Sequence, residues 1–386
     1  MCVTKKSKEL VNDAACEEEV VERKVHEDFS RIDKPFGLEQ HVFNWLWLGT
    51  AHVFAFYYLY LDITGRARTS TILFELLYGY IGGLGITVGC HRYWTHKTFK
   101  ANKPLQILMM IMQTIANQYP IRKWSLDHRI HHKFTDTNAD PHNSTRGFWF
   151  SHMGWLFLPK HPDLKKKLKT FDMPDLESDP IVRFQSRWYW TLTAVIHFII
   201  PIFIFRYFWG LSMLHCIAAN YRRYVVSLHI TWSVNSVAHI WGEKPYDKNI
   251  TPVENPWVSF FAVGEGWHNY HHTFPWDYKA AELGWKINLS TMFIDFFAWL
   301  GWAYDLKTVS QTMLKQRLHR TGNESHNLPV IDEANCDKND FDYSVPADVT
   351  ELMKDCIHQP VWGWDDESIP EDLRNVTKTL RSKGIK

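Results

Sequence analysis

The chain carries His-x-x-His-His twice, as His128, His131 and His132 in DHRIHHKF and as His268, His271 and His272 in GEGWHNYHH. With 21 histidines in 386 residues, chance supplies about 0.06 copies of that pattern. On a helix, positions i, i+3 and i+4 lie along one stripe, so each run can aim three imidazoles at one point. Two further groups accompany them, His91 and His96 in HRYWTH and His239 in NSVAH, which makes nine imidazoles. One ion cannot use nine ligands. At four to six ligands each they point to two metals, with positions left open for a substrate or water. His91 and His96 are five apart, about 140° round a regular helix, and need not serve the same ion.

Imidazole suits zinc, copper, iron and nickel, so histidine count does not choose among them. A closed structural zinc site uses about four ligands, usually including thiolates. Nine histidines next to paired apolar segments suggest oxidative chemistry on something lipid-soluble, for which redox-active iron is the natural candidate, because side chains alone cannot remove hydrogen from an unactivated methylene. Asp127, Asp136, Asp140 and Glu265 are close enough in sequence to hold imidazole N–H groups. Any one cluster alone is accounted for by surface histidine at a membrane interface; the four together are not. His52, His197, His215 and His229 fall within apolar runs and read as hydrogen-bonded packing residues, while His142, His152 and His161 lack the spacing.

The elements that must position these groups are apolar and helical. Val42 to Ile63 and Thr69 to Cys90 are each 22 residues long, separated by the polar break around TGRART, and read as a transmembrane hairpin. A second hairpin joins Trp188–Trp209, with Pro201 inside it, to a segment from Leu211 toward Val237. That last segment contains Arg222 and Arg223, each costing roughly 2.5–3.5 kcal/mol at mid-membrane. Its arginines either face a protein interior, or the lipid-spanning part is displaced toward residues 224–240. Pro104 to Gln118 is too short to cross and reads as interfacial or buried. The result is an all-α integral membrane protein with four transmembrane helices in two hairpins: a polar leader (1–41), hairpin one (42–90), a segment with the first two histidine boxes (91–187), hairpin two (188–237), a segment with the third box (238–322) and an acidic tail (323–386). All histidine clusters then share one side, which carries most of the Lys and Arg, including KKKLK at 165–169, and is cytosolic by the positive-inside rule, as are both termini. The net charge of +1 gives no reason to invoke nucleic acid. Cysteines 2, 16, 90, 216, 336 and 356 are scattered without a C-x-x-C pair, which fits a reducing compartment. The N-terminus lacks the apolar core of a cleavable signal peptide.

In their order and spacing, H-x4-H, H-x2-HH and H-x2-HH interleaved with two hairpins, these residues strongly resemble the animal membrane acyl-CoA desaturases, the insect and vertebrate stearoyl-CoA/acyl-CoA Δ9 types above all. The resemblance runs from about Asn44 to Gly322, through GITVGCHRYWTHKTFKANKPL, DHRIHHKFTDTNADPHNSTRGFWFSHMGWL, NSVAH, PYDKNI and AVGEGWHNYHHTFPWDY. It implies a four-span endoplasmic reticulum enzyme whose cytosolic helical di-iron domain inserts a cis double bond into a long-chain acyl-CoA, at position 9 by default. It would consume O2, with electrons from NADH through cytochrome b5 reductase and cytochrome b5. By matching motif, His91, His96, His128, His131, His132, His239, His268, His271 and His272 would be the ligands of two ferrous ions, and Asn235 would reach one iron through water. Gln118, Trp124, Thr231 and Trp232 fall where the family lines a bent acyl tunnel, and Asn44 and Lys160 where it contacts the CoA head group. Tyr119, Leu126 and Pro159 depart from the family pattern, standing where an Asn and two Arg are expected, which loosens the implied grip on CoA phosphates. In YGYIGGLG, Gly79 and Gly83 fall where bulkier side chains close the tunnel; they either admit a longer acyl chain or permit close helix packing. No H-P-G-G haem motif is present and the third box opens with His, which disfavours a fused cytochrome b5 desaturase.

Two other readings compete. A related di-iron fatty-acyl hydroxylase or conjugase would share the ligands. A histidine-rich membrane metal transporter or sensor would place ionisable ligands near the bilayer midplane and show inverted repeats, whereas these boxes lie outside the apolar runs.

Overall fold

A computed structural model describes residues 35–282, 288–323 and 360–382. Most of the expected polar leader and much of the acidic tail lie outside the described residues, as do Cys2, Cys16, Cys336 and Cys356; Cys90 and Cys216 are buried free thiols. The described chain is mostly helical. Its strands are two short antiparallel pairs, β1 (Lys100–Ala101) with β2 (Ala303–Tyr304) and β3 (Leu306–Thr308) with β4 (Lys378–Leu380).

Two helices are long and apolar enough to cross a membrane, α2 (Thr71–Thr95) and α5 (Pro180–Trp209). α5 is helical through the expected position of Pro201, with a local kink at Trp188. Two others are as long but more polar: α1 (Gln40–Ile63), of 24 residues, and α6 (Met213–Ile240), of 28. Their polar groups turn inward. Arg222 of α6 bridges Asp62 of α1 and Glu75 of α2, donating to Glu75 at 2.6 and 2.8 Å, and Arg223 donates to Asn220 at 3.1 Å. Both arginines therefore face protein, Arg222 met by two carboxylates and Arg223 by the Asn220 amide. The outer faces are apolar instead, with Val53, Phe56, Leu73, Leu77, Phe203 and Tyr207 all exposed.

Local chemistry sets the ends of these elements. Ser212 caps α6 through the His215 N–H, after a left-handed turn at Gly210 (φ +61°) reverses the chain. Asn102, followed by Pro104, opens α3 (Lys103–Ala116), which ends at left-handed Asn117; Pro120 then precedes α4 (Ile121–Phe134). In 104–118 one face of α3 is buried against α2, while Ile107 and Ile111 are exposed on the other. Beneath the histidines, Val88, Trp94, Leu105, Met109, Ile121 and Ile130 form one buried cluster. α1 lies along α6 and shares a second, including Leu48, Ala51, Leu228 and Trp232.

Close packing of α3 on α2 falls to Gly82 and Gly85. A Cβ on Gly85 would stand 2.2 Å from the Gln113 nitrogen and the Met112 carbonyl carbon, whereas one on Gly83 would meet nothing within 4 Å. Gly85→Ala is therefore expected to cost about 1–3 kcal/mol by overpacking, and Gly83→Ala to stay within about 0.5 kcal/mol of wild type. Thermal unfolding of the two variants, followed by size-exclusion fluorescence, checks the contrast.

Candidate metal centre

The nine histidines converge from four helices. His91 and His96 lie at the end of α2, where residues 85–95 widen into a π-helix and the His96 N–H reaches the His91 carbonyl at 3.0 Å. That i→i+5 coil stacks residues five apart, so the rings a regular helix would separate stand 4.7 Å centre to centre. α4 supplies His128, His131 and His132, α6 supplies His239 in its last turn, and α7 (His268–Thr273) supplies the third box.

The rings divide into two groups. His91, His96, His128, His132 and His271 form one, His131, His239, His268 and His272 the other, and within each the ligand nitrogens all lie within 4.8 Å of one another. The expectation that each H-x-x-H-H run aims three rings at one point is corrected here. In both runs the i and i+4 rings serve one group and the i+3 ring the other, because i+4 sits about 40° to one side of i and i+3 about 60° to the opposite side. α4 and α7 thus exchange one ligand each, and His132 stacks on His272 at 4.1 Å between the groups.

Carboxylates set which nitrogen faces inward. The Nδ1–H groups of His91, His131 and His239 donate to Glu265 (2.8 Å), Asp140 (2.9 Å) and Asp136 (3.1 Å), and that of His96 donates to the Trp362 carbonyl. In a neutral ring this leaves Nε2 as a lone pair. Nε2 of His271 lies 2.9 Å from that of His91 and 3.1 Å from that of His132, and Nε2 of His268 lies 3.1 Å from those of His239 and His272. Nε2 of His96 and of His128 is buried without a partner. Burial, reinforced by neighbouring rings, pushes His96, His128, His132, His268, His271 and His272 well below the usual imidazole range. Burial works to raise Glu265 and Asp140, but Arg92 and His91 outweigh it at Glu265, as His131 and His142 do at Asp140, so both carboxyls stay low.

His268 and His271, whose Nδ1 atoms are buried without a partner, meet the other rings through Nε2 alone, and a cation at each centre would let every inward Nε2 serve as a lone-pair ligand. Ligands at right angles around a first-row ion, with bonds of about 2.1 Å, stand about 3.0 Å apart, which is the spacing found. The residues present fit two metal ions.

Sequence reasoning missed three features. Asp127 does not hold an imidazole; it pairs with buried Lys123 four residues before it. Arg92, fully buried, donates to Glu265 at 2.7 Å and so braces His91 through that carboxylate. His142, set aside for its spacing, lies 3.5 Å from Asp140 with its ring 4.3 Å from that of His131. His52 and His229 are packing residues as expected, joined to His152 in a hydrogen-bonded row at 3.2 and 2.9 Å, apart from the nine.

Two cavities meet at the centre. One, of about 400 Å³, runs from His91 and His268 past Gly83 and Gly79 to Glu75 and Arg222. The other, of about 100 Å³, is lined by Asn44, Gln118, Tyr119 and Trp232. Trp124, His128, Thr231 and Asn235 line both, so the two cavities adjoin beside the histidines. The Gln118 side chain donates to Thr231 at 2.9 Å beside this junction, and Tyr119 donates to Asn44 at 3.0 Å. Lys160 lies outside both linings.

The family model for fatty acid desaturases matches residues 69–283. An acyl-CoA Δ11 desaturase of Trichoplusia ni is 44% identical over 341 residues, covering 88% of each chain. An acyl-CoA Δ9 desaturase of Acheta domesticus is 46% identical, over 83% of this chain and 80% of its own. A (11Z)-hexadec-11-enoyl-CoA conjugase of Bombyx mori is 47% identical, over 75% and 87%.

Metal analysis of the purified chain tests the two groups. His271→Ala is expected to lower bound metal, and Asp136→Asn to weaken retention at the four-histidine group by about 10–100-fold. His229→Asn, in the separate row, keeps the wild-type content; equal content in all three variants contradicts the arrangement.

Proposed function

We propose, because the chain belongs to the fatty acid desaturase family of oxidoreductases, that it introduces a cis double bond into a long-chain fatty acyl-CoA, with Δ9 as the default position. Two adjacent C–H bonds would break and a C=C bond form; the two hydrogens, with two electrons and two protons supplied from outside, would reduce O2 to two waters. The nine histidines would hold two irons, with Asn235, one turn before His239, reaching one of them through water. The electrons would come from cytochrome b5 and its NADH-dependent reductase. The observation that carries this reading is the junction of two cavities at Trp124, His128, Thr231 and Asn235, which would be the elbow of a bent acyl channel.

Bound iron would supply the oxygen activation that protein side chains lack. The remaining work falls to the chain itself. The elbow would hold one pair of methylenes against the metals, and the Gln118–Thr231 hydrogen bond would fix the bend, so that position along the acyl chain is set by geometry. Asn44 and Lys160 would meet the CoA end, with the Tyr119 hydroxyl holding the Asn44 amide. At the far end Gly79 and Gly83 both line the larger cavity; a Cβ on Gly83 would meet nothing within 4 Å, one on Gly79 only the Arg223 side chain at 3.7 Å, which supports the reading that they admit a longer tail. The apolar outer faces of α1, α2 and α5 support four spans in the endoplasmic reticulum membrane, with the histidines on the cytosolic side.

The matched conjugase supports a second reading, in which an acyl chain already unsaturated enters the same channel and leaves with conjugated bonds. A hydroxylase would use the same ligands. Fatty-acid profiling by mass spectrometry in desaturase-deficient yeast separates them. A new isolated double bond, lost in His271→Ala, is the expected result, and Gly83→Leu should shift products toward shorter chains. Hydroxylated or conjugated products without a new isolated bond would defeat the assignment.

A further inference from the structure

The C-terminal stretch 360–382 lies outside the residues that the family model matches, 69–283. It nevertheless crosses the metal centre. The Trp362 carbonyl accepts the Nδ1–H of His96, and the Trp364 N–H donates to the His96 carbonyl at 2.8 Å, so the segment grips both the ring and the backbone of one residue. Gly363 lies between these two contacts, where a Cβ would stand 2.6 Å from the Cα and carbonyl oxygen of His96; only glycine permits the approach. His96 caps the π-helix of α2, its N–H bonded to the His91 carbonyl, a contact that leaves the ring itself to be fixed by other groups. His91, His131 and His239 are held by carboxylates from within 69–283, whereas His96 is held from outside it.

The segment is tied down at each box. The Trp362 ring lies over the Arg129 guanidinium at 3.9 Å, and Arg129 is itself fixed by Asp175 at 2.9 and 2.7 Å. Lys133 pairs with Asp366 at 2.8 Å, and Asp366 accepts the Trp362 N–H at 2.8 Å, which holds the turn that presents the carbonyl. Ile369 and Trp364 join the cluster of Tyr270, Phe274 and Trp276 behind the third box.

We propose that residues 360–382 are a positioning strap for His96: the Trp362 carbonyl fixes the tautomer that turns the Nε2 lone pair inward, and metal retention at the five-histidine group depends on it. The inference rests on the reading of the two groups as iron sites. Because His96 belongs to one group only, loss of the strap selects between the two ions. The test is iron release from detergent-solubilised full-length protein into bathophenanthroline disulfonate. Three variants are compared with wild type: Gly363→Val, a chain ending at residue 359, and Thr379→Ala on exposed β4. In the first two, one iron of the two is expected to leave about tenfold faster while the other keeps its wild-type rate; Thr379→Ala releases both as wild type does. Wild-type release of both irons from the truncated and Gly363→Val chains overturns the strap, as does equal acceleration of both, which marks general loosening of the fold. Wild-type protein purified without iron overturns the strap and the iron assignment together.

Discussion

The fold is arranged around imidazole nitrogens turned toward one another in a buried interior. Imidazole nitrogens 2.9–3.1 Å apart are close enough to share a cation, and a buried polar group of that kind survives only if the rest of the fold holds it. That holding is visible at each level. Carboxylates on Nδ1 choose the tautomer, Arg92 braces one of those carboxylates, and the core beneath α2, α3 and α4 fixes the helices that carry the rings.

The same constraint explains the long helices. Four of them bring polar side chains inward and leave an apolar exterior, so that Arg222 finds Asp62 and Glu75. Glycine is divided between two tasks on one helix, with Gly82 and Gly85 admitting α3 while Gly79 and Gly83 leave room along the larger cavity.

Much of this was legible in the sequence, because histidine spacing is a strong signal and hydropathy marks long helices. All nine histidines gather, and Asp136, Asp140 and Glu265 hold rings as their proximity suggested. What spacing could not say is which ring serves which group, since the 100° between i+3 and i+4 matters only once two helices have been turned against each other. The π-helix at 85–95 leaves no mark in composition, so the pairing of His91 with His96 ran against regular helical geometry. Asp127 was misread because a closer cation, Lys123, claims it. The Trp362 carbonyl was invisible for a simpler reason: a backbone atom has no letter.

The distance in sequence between His96 and the carbonyl that orients it bears on how the protein is made. The four-histidine group is complete once His272 has been synthesised, but Trp362 follows about 90 residues later, roughly 5–18 s at ordinary ribosome speeds. The two halves of the centre therefore mature at different times, and the nascent enzyme spends an interval with one half finished and the other still waiting for its last restraint.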